Sequence, residues 1–390
     1  MSCVIFGAGK IARGFIGHLL YLSEIPFTFI EKSTELVDLI NQNKQYYVNI
    51  LGVPDKCCTV KGASAYCFDD EEDIAKVISE ADAVFTAVGG KNLESIVPML
   101  ALGVKAKAKV GGTLNIVTCE NWKQPANILR SGIDELLSGS DKEFFDKNVG
   151  VSEAVIMRSA IEADKEALEK DPLVVNVQNF WKLPVDASRI VGKLPDIQGL
   201  ELIESFTGFL ERKFYTYNAA NGSVSYIGAL FGYEKIADAA HDERILKILD
   251  GVYHETATAL SKKHHFPLDE QLAFTLTSKA KLQDRTIVDF IERNARDPMR
   301  KLGPDDRLVG SARLVLEYGI KPENLCIAIA AAIYYHNDSD EFAVQLCNIR
   351  KNDGVDGVLS KVCKIDPNGE LGLMVKDKIK LLKEWGWINE

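Results

Sequence analysis

The sequence predicts an α/β protein: a doubly wound, mostly parallel sheet in the first half and a mainly α-helical domain in the second. Three observations predict it. Short apolar runs alternate with helical stretches through the first ~190 residues. Two of those runs, "AVFTAV" at 83–88 and "TLNIVT" at 113–118, are apolar throughout, as strands covered on both faces must be. From about residue 200 the texture changes to helical periodicity, with Ala-rich and Leu-rich segments such as 323–335. A chain of 390 residues has room for two domains. The Gly- and Pro-punctuated segment "VGKLPDIQGLE" sets the expected boundary, giving domains 1–195 and 196–390.

The elements follow in order. Residues 3–6 read as a short strand. Residues 11–22 read as a helix from the spacing of Ile11, Phe15, Leu19 and Leu22. A strand at 26–30 and a helix at 35–41 come next. The apolar strand 83–88 precedes a helix at 93–102, and the strand 113–118 follows. Residues 149–156 and 173–180 read as later strands, added antiparallel. A repeated strand–helix–strand order implies a parallel sheet wrapped by helices.

Composition narrows the function. Hydrophobic residues make up 46% of the chain, ample for ordinary cores. The net charge of -10 and the lack of a basic stripe argue against nucleic-acid binding. A small anionic substrate remains compatible, because a few local cations reverse the field inside a cleft. The eight cysteines, none at C-x-x-C spacing, read as reduced residues of a cytoplasmic protein, with no disulfide or metal framework expected. Gly7 arrives too early for a secretory leader, and no apolar run reaches ~18 residues, so no membrane partner is expected. Monomer and small homo-oligomer both stay open.

The segment Gly7-Ala8-Gly9-Lys10-Ile11-Ala12 fits G-x-G-x-x-G/A between a strand and a helix. Gly7 permits the tight turn, Gly9 lets a pyrophosphate approach the backbone, and Ala12 allows close helix packing. The helix start offers unpaired N–H groups to the phosphates. Glu31 ends the second strand about 20 residues further on, where a carboxylate accepts from ribose hydroxyls and repels a 2′-phosphate. The first domain is therefore expected to be Rossmann-type, with NAD as cofactor. Lys32 is the residue that would instead favour a phosphate. Val88 and Gly89, in "TAVGG", lie where a glycine clears space for a cofactor, although a plain loop glycine explains the pattern as well.

Five segments, "FGAGKIARGFIG", "CEN" at 119–121, "ERKFYTYN" at 211–218, "RKLGPDDRL" at 300–308 and "LEYGI" at 316–320, occur in order along the chain. Together they resemble the polyol-specific long-chain dehydrogenase/reductase family. The resemblance implies a Rossmann-type domain, a mainly helical second domain and an active site between them. It implies metal-independent hydride transfer between NAD(H) and a polyol or ketose, often phosphorylated, with mannitol 1-phosphate and fructose 6-phosphate as the leading pair. The family's catalytic pattern K-x4-N-x2-H, with an earlier asparagine, falls on Lys213, Asn218 and Asn121; the histidine position holds Asn221. That departure keeps two alternatives open. One is an unphosphorylated polyol or a tagaturonate-like uronate as substrate; the other is a catalytically weak NAD-binding sensor.

The residue chemistry fits these roles. A lysine serves as base only when burial or a neighbouring cation lowers its pKa from ~10.4 toward 7–8. Aromatic neighbours in "RKFYTYN" could desolvate Lys213. Asparagine amides donate to a developing oxyanion. On a regular helix at ~100° per residue, Lys213, Asn218 and Asn221 spread over about 140°. Arg296, Arg300 and Arg307, beside Lys301, are candidate phosphate ligands, and pairing with Asp297, Asp305 and Asp306 is the competing reading. The resemblance adds Glu153 and Arg158 as substrate contacts. His336, after an apolar helix, is a further substrate candidate, with a helix-end role favoured.

Overall fold

The computed structural model describes residues 1–389 and divides into two compact units, Met1–Phe206 and a second from Thr207 onward. The division falls after residue 195 because strand Leu200–Ile203 pairs in parallel with Leu183–Asp186 and so belongs to the first unit.

The first unit has twelve strands: β1 (Cys3–Phe6), β2 (Phe27–Glu31), β3 (Gln45–Ile50), β4 (Cys58–Lys61), β5 (Ala65–Cys67), β6 (Ala83–Thr86), β7 (Leu114–Thr118), β8 (Val149–Glu153), β9 (Ala160–Ile161), β10 (Val175–Val177), β11 (Leu183–Asp186) and β12 (Leu200–Ile203). The main sheet has the order β5-β2-β1-β6-β7-β8 and is parallel throughout. Successive strands run outward from β1 on one side and from β6 on the other. The order therefore reverses between β1 and β6, the switch point at which doubly wound sheets bind ligands. Both faces are covered. Ile5, Phe29 and Phe85 pack on Phe15 and Leu19, while Val4, Phe6 and Val84 pack on Ile74, Ile96 and Leu100.

A second sheet, β4-β3-β10-β9, lies over the helical stretch that follows β1. Gly14 makes that approach possible: a Cβ there would sit 2.5 Å from Val177 Cγ1. The expected helix 11–22 is a π-helical turn over Ala12–Gly17 followed by α-helix His18–Leu22. Side chains satisfy backbone oxygens along it. Tyr46 donates to the Arg13 carbonyl at 3.1 Å, and Arg158 Nη1 donates to the Gly14 carbonyl at 2.9 Å.

Arg158, expected as a substrate contact, is held in this unit by protein groups through Nε and Nη1, while its Nη2 is buried without a hydrogen-bond partner among the described residues. It is 1% exposed, lies 4.5 Å from the Trp181 ring centroid, and donates from Nε to the Phe180 carbonyl at 2.5 Å. Its Nη1 also meets His18 Nδ1 at 3.1 Å. Burial and then the Arg158 charge push His18 down to about 4. The imidazole is thus neutral at neutral pH. Because arginine can only donate, Nδ1 accepts and Nε2–H points to Cys58 Sγ, 3.2 Å away.

Other expectations shift at their edges. β8 is parallel to β7, not antiparallel, because helix Gly139–Asn148 provides the crossover. Within 173–180 only β10 forms, parallel to β3 and antiparallel to β9. Helix Leu93–Val110 runs past residue 102, since Gly103 lets Ile78 pack against it.

The second unit is helical. Helix Glu323–Ile333 is its centre, with every residue from Leu325 to Ile333 buried, as a helix apolar on all sides must be. Glu255 caps its start, accepting from the Asn324 amide at 2.7 Å and the Leu325 amide at 3.1 Å. Around it pack Val224 and Ile227 from helix Ala219–Leu230, and Leu249 and Val252 from helix Glu243–His264.

Candidate active site

The carboxyl ends of β1 and β2 meet at the Gly7–Ala12 turn. Gly7 has φ +88°, and a Cβ there would lie 2.5 Å from the Ala87 oxygen. A Cβ built on Gly9 meets nothing within 4 Å, so the backbone there is open to approach. Glu31 faces the same turn. Its Oε2 accepts from the Ala8 amide at 2.7 Å, and its Oε1 accepts from the Lys32 and Ser33 amides at 2.7 and 3.0 Å. Oε1 already holds two donors, whereas Oε2 keeps acceptor capacity for a further hydroxyl. The Arg13 guanidinium donates to the Ala8 carbonyl and further fixes the loop. Ala12 is buried and Ile11 is partly buried, while Lys10 pairs with Glu162 at 2.6 Å. Lys32 is exposed. The open backbone, the helix start and the carboxylate fit a dinucleotide.

The next two strand ends are tied together by a residue outside the expected set. Glu120, 8% exposed, accepts from the Val88 amide at 2.8 Å and the Gly89 amide at 3.0 Å, and from Thr86 Oγ1 at 3.3 Å. Burial raises its pKa, and those three donors oppose the rise. Trp122 covers Gly90 so closely that a Cβ there would fall 2.3 Å from its ring. Glu120 thereby sets the Val88–Gly89 loop and, next to it, Asn121, whose exposed amide has no hydrogen bond among the described residues. Glu120→Ala leaves two amides without their acceptor, costing about 1–2 kcal/mol, roughly five- to thirtyfold in NADH affinity. Titration of NADH fluorescence measures it; unchanged affinity would mean the loop is held by other contacts.

In the second unit, helix Phe206–Lys213 is clamped against helix Leu268–Leu282. Arg212 Nε donates to Gln271 Oε1 at 2.5 Å, and its guanidinium lies 4.3 Å from the Phe274 ring centroid. Glu211 pairs with Lys263 at 2.8 Å and His264 at 2.5 Å. The chain then makes a π-helical turn over Phe214–Asn218, in which the Ala219 amide bonds the Phe214 carbonyl. An i→i+5 turn brings residues five apart onto one face. Lys213 and Asn218 are therefore neighbours, and Asn221, three further on, joins them. This face is narrower than the 140° arc of a regular helix.

Lys213 is half-buried and has no carboxylate partner among the described residues. Burial and then the nearby Arg307 charge push its pKa below the ordinary lysine value. Two more lysines share the effect. Lys281 is held down to about 8 by burial and by Lys213. Lys301 is held down to about 8 by burial, Arg307 and Arg300, and its ammonium donates to the Arg296 carbonyl. A group of mutually repelling cations thus sits in a chain of net charge -10.

The remaining candidates are distributed as follows. Arg307 pairs with Asp306 at 2.9 Å and lies 5.7 Å from the Phe214 ring centroid. Arg300 reaches Asp297 at 3.2 Å and Asp306 at 3.4 Å. Arg296 is exposed and makes no ion pair among the described residues. The Asn218 amide also has no hydrogen bond among them, whereas Asn221 Nδ2 donates to Asn294 Oδ1 at 3.1 Å. Glu153 ends β8 in the first unit, its pKa raised by burial against the pull of Arg189. His336 is 57% exposed and pairs with Asp338 at 3.2 Å, a surface position beyond helix Glu323–Ile333. Glu120 was legible in principle as the acid inside "CEN". Lys281 carries no signal, being one lysine of an amphipathic helix. Among the described residues no three His, Cys, Asp or Glu side chains converge as metal ligands, and no helix is long and apolar enough to cross a membrane.

Comparison with known proteins covers both units. The mannitol dehydrogenase Rossmann domain matches residues 1–199, and the mannitol dehydrogenase C-terminal domain matches residues 205–381. A mannitol-1-phosphate 5-dehydrogenase of Thermoanaerobacter pseudethanolicus is 34% identical over 389 residues, 98% of each chain. Among solved structures, a D-sorbitol dehydrogenase in substrate-free form aligns with TM-score 0.82 at 14% identity, over 99% of this chain and 94% of that one. A Pseudomonas fluorescens mannitol 2-dehydrogenase, solved with NAD and D-mannitol, aligns with TM-score 0.66 at 12% identity, over 99% and 92%. At those identities the two structures speak to the fold alone.

Proposed function

This chain belongs to the mannitol dehydrogenase family, and from that premise we propose that it interconverts mannitol 1-phosphate and fructose 6-phosphate with NAD(H). The observation that carries the reading is the Lys213 ammonium: half-buried, without a carboxylate, its pKa lowered by burial and Arg307. Such a group gives up its proton more readily than an ordinary lysine and serves as acid and base.

Bound NAD+ supplies the acceptor for the hydride that leaves carbon. Lys213, as the neutral amine, takes the proton from the alcohol oxygen; in the reducing direction its ammonium returns that proton to the carbonyl oxygen. The Asn218 amide donates to the oxygen as negative charge grows on it. Preorganised donors of this kind contribute on the order of 3 kcal/mol each. Glu31 selects NAD over NADP by its charge and by accepting from the ribose hydroxyls. The cations Arg296, Arg300, Lys301 and Arg307 support a phosphorylated substrate, since guanidinium forks match phosphate oxygens.

One observation favours a second reading within the family. Arg300 and Arg307 already share Asp306, which lowers the positive charge left for a phosphate and suits an unphosphorylated polyol or a uronate. A single assay separates the readings: NADH oxidation with fructose 6-phosphate, fructose and tagaturonate in parallel. Turnover confined to fructose 6-phosphate is expected. Turnover confined to the unphosphorylated sugars supports the second reading. No NADH oxidation with any of them would overturn both and leave a cofactor-binding sensor.

A further inference from the structure

Asn221 stands where the family pattern has histidine, and an amide can present either of two ends. The orientation is decided by its neighbours. Asn294 Nδ2 donates to Asp289 Oδ1 at 2.6 Å and to the Phe290 carbonyl at 2.9 Å. A carboxylate and a backbone carbonyl can only accept, so both donors of Asn294 are committed there. Its Oδ1 is therefore the atom that faces Asn221, and it must receive a hydrogen bond. Asn221 gives it one, from Nδ2 at 3.1 Å. The Asn221 Oδ1 atom is left with no hydrogen bond among the described residues. Turning the amide over would set two oxygens against each other and leave the Asn294 oxygen without its donor.

We infer that Asn294, anchored by Asp289, is a positioning residue that fixes Asn221 with its side-chain oxygen outward, as an acceptor for a hydroxyl group of the substrate next to the reacting carbon. The inference rests on the family reading in that Lys213, Asn218 and Asn221 share one helix face. It deepens that reading by naming what the Asn221 position recognises: a hydroxyl donor, as polyols and their ketoses carry. An amide does not titrate in the working range, so this position orients substrate and moves no proton. Asp289 keeps its own charge company from Arg293, 3.8 Å away. Its backbone carbonyl separately accepts from the Ile236 amide at 2.9 Å, so changing its side chain leaves that contact in place.

The test is a double-mutant cycle on the intact chain, with fructose 6-phosphate and NADH as the probes. Asn294→Leu is expected to lower kcat/KM for the sugar about tenfold, chiefly through KM, while NADH affinity stays the same. Asn221→Ala is expected to lose a similar factor. If Asn294 acts through Asn221, adding Asn294→Leu to Asn221→Ala costs nothing further. A merely structural asparagine would cost the same in both backgrounds, and that result would overturn the inference. Asp289→Asn is the milder variant should Asn294→Leu fold poorly: it replaces the acceptor-only anchor, permits the flip, and is expected to raise KM in the same direction. An active wild type with Asn294→Leu and Asp289→Asn both at wild-type KM would remove this inference alone. A wild type that oxidises NADH with no sugar removes the family-level reading, and the inference with it.

Discussion

Lys213→Ala is expected to cut kcat by about 10²–10⁴-fold while NADH binding stays near the wild-type value. The reason is specific to the group removed. Oxidation needs an acceptor for the hydroxyl proton, and the amides of Asn218 and Asn221 on the helix face of Lys213 cannot titrate. Lys213→Arg is expected to be no better, because a guanidinium keeps its proton at every working pH. The sign of the pH dependence follows. The neutral amine is the base, so polyol oxidation rises with pH through the Lys213 ionisation, and ketose reduction falls through it. Burial and the Arg307 charge both favour the neutral form and move that ionisation down from the ordinary lysine value. Arg307→Leu removes the like charge and moves it back up. Rates for both directions, with NADH affinity measured separately, check the set. Lys213→Ala turning over at the wild-type rate would mean another base exists.

Glu31→Ala has the second large effect. The carboxylate accepts from the Ala8, Lys32 and Ser33 amides, so it shapes the turn after β1, and under the proposed function it also receives the ribose hydroxyls. Hydrogen bonds to a charged group contribute about 1.5–3 kcal/mol, roughly ten- to a hundredfold in NADH affinity. Loss of the negative charge also removes the repulsion of a 2′-phosphate, so the preference for NADH over NADPH narrows. KM values for the two cofactors measure both effects. An unchanged preference would assign cofactor choice to Lys32 or to a residue outside this turn.

What the sequence disclosed was the local part. The Gly7–Ala12 turn, the strand before it and the acid at Glu31 are encoded in a short contiguous stretch, and residue types alone specify them. Buried parallel strands such as β6 and β7 announce themselves by continuous apolar runs. The second sheet was hidden because its pairing is distant: Asn49 and Asn176 hydrogen-bond across 127 residues. The π-helical turns were hidden because a single inserted residue leaves the apolar spacing nearly intact. The surroundings of Arg158 were hidden for the same reason, since Gly14 and His18 lie far from it in the chain. The same holds at the site. Lys213 and Asn218 could be named from a motif, but Arg307, Lys281 and Asn294 reach them only after folding.

The most direct measurement is kcat for polyol oxidation against pH, for the wild-type chain and for Lys213→Ala, with cofactor and substrate saturating. A desolvated amine acting as the base predicts a rise with pH in the wild type, through an ionisation below that of a free lysine. It also predicts that this limb vanishes, along with most of the rate, in Lys213→Ala. The same rising limb in both proteins would contradict it.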